Sequence, residues 1–479
     1  MSVSSWARSL FFSGNQPTRA TRRALAGSAS SGFRPRGESL ESRLNMAGGV
    51  TASVVGTTLF ITGDALANEL RIEGVTAGTV EVQGANLTKV NGVTGGEFTA
   101  RNIQNIFMDM GNGDDKATFV LTDIQGLLRF NGGNGDDSLL FGEGNHGTNS
   151  FGSLAAVLGE GSDLLKVDET ETSFKATGTV NVSGGEGDNT TIFNVTTKLQ
   201  LGAVTMTGGN GGDDFEIRGG EAPGSQMSTG FINTSFGNGI NVTELRADGL
   251  AVNGGISMLG GSGDDHLKMS GARRTTVNGS IIASLGDGNN PVMIDNDDIV
   301  ITGLVSVTAG SGSDVFYTSV KFDAQAVSLY LGAGTNSVYI SGNSTIRSSL
   351  SVTTLGDSDA VVTNNVNVGG ATIINTGEGD DRIELFNTRF RGATTLLTGG
   401  GTDYVGIEAN FIDDGIGVQF DSVLSIDLGA GNDTLWPGGS DTDFVTCAYL
   451  IANGGTGTDT LLESTFNKYT VAPTFLSFP

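Results

Sequence analysis

Ten aspartates share one place in a glycine-rich phrase: Asp115, Asp137, Asp163, Asp213, Asp265, Asp314, Asp381, Asp403, Asp433 and Asp459 are each the fifth residue of G-x-G-x-(D/N). Asparagine holds that place at Asn189, Asn241, Asn290 and Asn336. A carboxylate beside glycines, whose backbone carbonyls no side chain screens, offers the oxygen ligands that a hard cation such as calcium takes. The ten aspartates are therefore the candidate calcium ligands, clearest where consecutive copies keep Asp, over 111–163 and 377–459. A plainer use competes. Gly, Asn and Asp all suit tight corners, because they tolerate left-handed backbone angles and bond their own backbone. Exchange of Asp for Asn suits a turn better than a strong metal site.

The elements that hold these corners follow from the spacing. The phrase runs from Gly111 to Gly455 in fourteen steps, a mean of about 24.6 residues, with a degenerate copy "LGDSDAV" at Gly356. Apolar residues alternate on either side of it, as at Ile256 and Met258 before one copy and Leu267 and Met269 after it. Period-two alternation over four to six residues marks a half-buried strand. A further glycine seven residues ahead of many copies, such as Gly178, Gly202 and Gly254, marks a second bend. Three short strands and three bends in this length describe one coil of a solenoid; propeller blades need about 40 residues. The fold class expected is all-β, a parallel β-helix (β-solenoid) of about 24-residue coils, sixteen or seventeen in number. Right-handed winding is the default for parallel crossovers. Stacked coils set equivalent carboxylates about 4.8 Å apart, where they repel unless something neutralises them.

In four copies, at 132–140, 208–216, 260–268 and 454–462, the phrase extends to G-G-x-G-x-D-x-U-x with U a large apolar residue. That nonapeptide resembles the calcium-binding repeat of the RTX proteins. The resemblance implies calcium held along one edge, with Asp265 and its counterparts as ligands. It is bounded: RTX nonapeptides run in tandem, two per coil, whereas "MSGARRTTV" follows the copy at 260 and each coil here carries one.

No catalytic set emerges. The nearest grouping is Asp264, Asp265 and His266 with Arg273 and Arg274, and alternation turns His266 outward. Trp436 and Tyr404 could stack on sugar, but lone aromatics usually pack. There is no G-x-S-x-G, H-E-x-x-H or phosphate-binding loop. One cysteine, Cys447, excludes an internal disulfide.

Residues 1–47 stand apart. Seven arginines against two acids give them +5, which leaves −31 for the rest of a chain of net charge −26. "FRPRGESLESRLNMAGG" at 33–49 resembles the N-terminal segment of predicted exported proteins of planctomycete bacteria. It implies export, with processing after Ala47. The acidic balance speaks against nucleic acid and anionic membranes, and no apolar run is long enough for a spanning helix. The expected organisation is an export segment at 1–47, an N-terminal cap and first coils at 48–110, repeat coils at 111–463 and a C-terminal cap at 464–479. The expected role is a non-catalytic, extracellular or cell-surface structural or adhesive monomer that binds calcium, with surface polysaccharide or other surface proteins as partners. The alternative is a carbohydrate-active β-helix enzyme, a lyase or glycosidase, which a groove of outward bases and acids on adjacent coils would favour.

Overall fold

The computed structural model describes residues 48–142, 147–168, 173–319, 321–409 and 415–478. The basic leader at 1–47 lies outside the described residues, as does His146. The described chain is all-β, a parallel solenoid of about fifteen turns with roughly 24-residue spacing.

Each coil has three strands. An approach strand such as Leu127–Asn134 enters the acidic corner, and a departure strand such as Ser138–Phe141 leaves it. A short return strand such as Thr148–Phe151 then leads, through one glycine, into the next approach strand, Ser153–Glu160. Like pairs with like in parallel and in register: Leu128 sits between Ile106 and Leu154, and Leu139 between Ala117 and Leu165. The alternate residues fill the interior. A run of fully buried phenylalanines climbs it, with ring centroids 5.5 Å apart for Phe119 and Phe141, 5.0 Å for Phe141 and Phe174, and 5.6 Å for Phe174 and Phe193.

The corner needs glycine because coils stack without room for a Cβ. At Gly135 φ is +132°, and a Cβ would lie 2.2 Å from the Gly113 carbonyl oxygen one coil below. In the degenerate copy Asp357 takes this place with φ +62°.

The N-terminal region differs from regular coils. Gly49–Val55 and Thr58–Thr62 form an antiparallel hairpin, and Glu69–Thr76 pairs antiparallel with Thr79–Ala85, which pairs antiparallel with Glu97–Ala100. These hairpins replace the first expected coils and account for the smaller number of turns. At the other end Lys468–Tyr469 and Thr474–Leu476 still pair in parallel with Thr446–Asn453.

Candidate functional site

The corner aspartates point inward. Asp115, Asp137, Asp163, Asp213, Asp265, Asp314, Asp381, Asp403, Asp433 and Asp459 are all 2 % exposed or less. Each lies two residues before an inward apolar residue and shares its face, as Asp265 does with Leu267. The column is a hydrogen-bond ladder. In most corners Oδ1 accepts the backbone N–H of the corresponding residue in the coil before: Asp137 from Asp115 at 2.8 Å, Asp163 from Asp137 at 2.8 Å, Asp403 from Asp381 at 2.9 Å. Asp213 and Asp265 accept instead from the side-chain Nδ2 of Asn189 at 3.0 Å and of Asn241 at 2.7 Å. Asn290 and Asn336 use their Oδ1 in the same way, accepting from Asp265 at 2.9 Å and Asp314 at 3.0 Å. This shared acceptor explains why the two residue types exchange.

Asp359 belongs to the column too, accepting from Asn336 at 2.7 Å and donating its own amide to Asp381 at 2.8 Å. The degenerate copy hid it from the candidate ligands. Counting back from Ala360, which pairs with Ser337 and Arg382, recovers it.

The second oxygen distinguishes Asp from Asn. In Asn290 and Asn336, Nδ2 donates to the first and third glycine carbonyls of its own corner, at 3.2 and 3.1 Å to Gly286 and Gly288, and at 3.2 and 2.8 Å to Gly332 and Gly334. Every corner aspartate has a buried Oδ2 with no donor in ordinary hydrogen-bond geometry, although at Asp359, Asp381 and Asp403 the Thr354, Thr376 and Thr398 hydroxyls lie close enough to offset part of the effect of burial. A buried acceptor without a donor is costly, so the place calls for a proton or a cation. Burial pushes the carboxyls of Asp137 and Asp359 up from the usual 3.8 to about 7, and those of Asp115, Asp213, Asp265, Asp314 and Asp403 to about 6. For Asp137 the Asp115 and Asp163 carboxylates add to the rise.

The extra glycine of the nonapeptide has a steric cause. A Cβ on Gly208, Gly260 or Gly454 would come within 1.8, 1.9 or 2.6 Å of Oδ2 on Asp213, Asp265 or Asp459. Calcium fits this geometry poorly. Each Oδ1 already accepts an N–H in most corners, and Asn fills the same place with a donor. Among the described residues no three His, Cys, Asp or Glu side chains converge on a point. The solvent side of the corner forms a second ladder, in which Asp136 and Asp264 accept the amides of Ser162 and Asn289 one coil on, at 2.8 and 2.7 Å.

The grouping around His266 comes apart. Asp265 faces inward, while Arg273 reaches across two coils to the Glu221 and Ala222 carbonyls at 2.8 and 3.1 Å, bracing the loop at 220–225. Tyr404 lies outward under the Arg382 guanidinium, 4.6 Å from the ring centroid, and Trp436 is in register with Gly406.

A different cluster appears on the departure strands Asp214–Gly219, Asn241–Ala247 and Asp265–Gly271. Glu216, Glu244 and Lys268 stand side by side, and Arg218 stands beside Arg246. Glu216 ion-pairs with Arg218 along its strand and is 8 % exposed. Burial raises the carboxyls of Glu216 and Asp214 above their usual values. Like charges set directly opposite each other on neighbouring strands are destabilising; here Arg218, paired with Glu216, and Lys268, opposite Glu244, offset the repulsion, and the register is the one that stacks inward Ile217 on Leu245. No family model, no curated protein and no solved structure matches the chain.

Proposed function

We propose that the protein is a non-catalytic exported solenoid with a structural or adhesive role at the cell surface. The observation that supports this most is the inward ladder. The repeated acids are committed to joining coil to coil, alike along the chain, as a rod requires and a catalytic pair does not. The orphaned Oδ2 column takes protons in this reading. The competing occupant is calcium, held where aspartates follow one another, at 111–163 and 377–459. A thermal melt in chelator, in millimolar calcium and in millimolar magnesium separates the two: proton occupancy leaves the midpoint unmoved, and calcium-specific stabilisation that grows with concentration assigns the column to metal.

A second reading rests on Glu216 and Glu244. The two carboxylates stand in register on adjacent departure strands, the two-carboxylate arrangement that glycoside hydrolysis uses, and Arg218, Arg246 and Lys268 flank the pair. The test is release of reducing ends or of unsaturated products from a polysaccharide panel. No release by the full chain supports the structural role. Release that is abolished in Glu244→Gln replaces it with a carbohydrate-active enzyme.

A further inference from the structure

The inward ladder has an end, and one atom there has no partner. The column begins a coil before the first glycine phrase. Asn68 donates its backbone N–H to Asp115 Oδ1 at 2.6 Å and its Nδ2 to the carbonyl two residues back, Leu66, as Asn290 and Asn336 do in their corners. Asp64 and Leu66 stand where later corners have their first and third glycines. A Cβ on Gly111 would lie 2.2 Å from the Asp64 carbonyl oxygen, as one on Gly133 would lie 1.6 Å from that of Gly111. Side chains are tolerated at Asp64 and Leu66 because this corner is the first. The later column asparagines, Asn189, Asn241, Asn290 and Asn336, accept on Oδ1 the amide of the coil before, at 3.3, 3.1, 2.9 and 3.0 Å. Asn68 Oδ1 has no donor, although the residue is only 1 % exposed.

Gly48, just ahead of the strand Gly49–Val55, occupies the place of the preceding rung. It is buried, its carbonyl accepts the Lys89 amide at 3.0 Å, and its own N–H goes to the Ala67 carbonyl at 3.1 Å. Asn189 and Asn241 send their amides to the same kind of carbonyl, that of the residue before the next rung, Gly212 and Asp264, at 3.1 and 3.2 Å. They then reach the next Oδ1 with their side chains. Gly48 has no side chain to do this, and there is no room for one. A Cβ on it would lie 2.5 Å from Asp64 Oδ1, 2.7 Å from Asn68 Oδ1 and 2.9 Å from the Leu66 carbonyl oxygen. All of these neighbours are acceptors. Asp64 is a carboxylate, and its Oδ2 already accepts the Gly49 amide at 2.8 Å. What the place lacks is further N–H on the nitrogen that is already there.

We propose that the Ala47–Gly48 peptide bond is a processing site and that the α-ammonium released at Gly48 forms the first rung of the ladder. Hydrolysis places the oxygen of one water on the Ala47 carboxylate and both its hydrogens on the Gly48 nitrogen, which becomes an ammonium with three N–H groups. One of them keeps the Ala67 carbonyl and a second turns to Asn68 Oδ1. Rung nitrogens elsewhere reach both kinds of acceptor: those of Asp115 and Asp137 bond the next Oδ1, and those of Asn189 and Asn241 bond the carbonyl before it. The new charge lies beside the Asp64 carboxylate, and a charged donor makes the stronger hydrogen bond. The proposal rests on the export reading above, which supplies the peptidase, and adds what the cut does for the fold: it completes the buried column at its N-terminal end.

The test uses the full chain with the recognition sequence of a site-specific protease ending at Ala47, so that cutting leaves Gly48 first with nothing added. A second version, with the recognition sequence ending at Met46, leaves Ala47 first and displaces the amine by one residue. Amide exchange is read by mass spectrometry over Gly49–Val55 and Glu69–Thr76, before and after cutting. Cutting before Gly48 is expected to slow exchange there by at least about tenfold, the lower end for a hydrogen bond to a charged group. Cutting before Ala47 should leave it unchanged. In Asn68→Ala, whatever its own cost, most of the response to cutting before Gly48 should disappear. Equal responses to the two cuts, or no response to either, would overturn the proposal. Mass spectrometry of the chain recovered outside the producing cells is expected to find Gly48 first, and a different first residue would overturn it as well. A chain retained inside with residues 1–47 intact would instead count against the export reading alone, because the exchange response is measured on the purified protein.

Discussion

At the corner aspartate two oxygens have different fates, and that asymmetry makes substitutions informative. In Asp137, Oδ1 accepts the Asp115 amide while Oδ2 is buried without a partner. Asp137→Asn keeps the acceptor and supplies an N–H toward the carbonyls that Asn290 and Asn336 already satisfy in their own corners. The expected outcome at pH 8 is stabilisation of about 1–3 kcal/mol, the penalty of an unsatisfied buried polar group, read from urea unfolding. Asp137→Ala should instead destabilise, because it also orphans the Asp115 amide. Gly260→Ala should cost about 1–3 kcal/mol by overpacking, since its Cβ would fall 1.9 Å from Asp265 Oδ2. Pairing it with Asp265→Ala, which removes that atom, should give less than the sum of the two single costs.

At the scale of the coil, the column couples folding to pH in an unusual direction. The ordinary carboxyl value is 3.8, and burial raises Asp115, Asp213, Asp265, Asp314 and Asp403 to about 6 and Asp137 and Asp359 to about 7. Between those values the folded chain keeps protons that the unfolded chain has lost, so stability falls as pH rises. The contribution is complete below about pH 4 and is lost by about pH 7. For each group, a tenfold difference in proton affinity between the folded and unfolded chain is worth ~1.4 kcal/mol. A melting midpoint higher at pH 5 than at pH 8 is expected, with the slope reduced in a variant carrying Asn at several column positions. A midpoint rising from pH 5 to pH 8 would show the column to be ionised and neutralised by something other than protons. The coil itself was legible in the sequence, because strand alternation and one recurring glycine phrase reported the same period. The inward turn of Asp265 was encoded in its two-residue offset from Leu267, but a carboxylate is ordinarily read as solvent-facing. The pairing of Glu216 with Glu244 was encoded as well, since each stands seven residues after the first glycine of its copy, Gly209 and Gly237, whatever the length of the loop at 220–225. That offset holds many residue types along the chain, so nothing marked the pair out. The hairpins at Gly56 and Gly78 keep the same alternation as parallel strands and differ only in direction, which alternation does not report.

For the whole molecule, a solenoid contacts itself only between neighbouring coils, so stability is a sum of local terms and the ends open first. The two ends are built differently. The N-terminal end is closed by antiparallel hairpins, with Val80 and Val82 buried behind Glu69–Thr76. The C-terminal end finishes in strands of two and three residues, Lys468–Tyr469 and Thr474–Leu476, with Phe466 and Leu476 about half exposed. The phenylalanine run from Phe119 to Phe215 lies nearer the N-terminal end, and burial of each ring is worth several kcal/mol. Amide exchange followed by mass spectrometry should therefore show a gradient. Protection is expected to be greatest in strands such as Thr190–Val195 and Asp214–Gly219, and to fall toward Thr446–Asn453. Phe174→Ala should cost about 3–5 kcal/mol, and the lost protection should concentrate in the coils that touch Phe141 and Phe193. Equal loss over every coil would mean that the solenoid opens as a single cooperative unit, with the column of buried carboxyls joining its coils more tightly than neighbour packing alone.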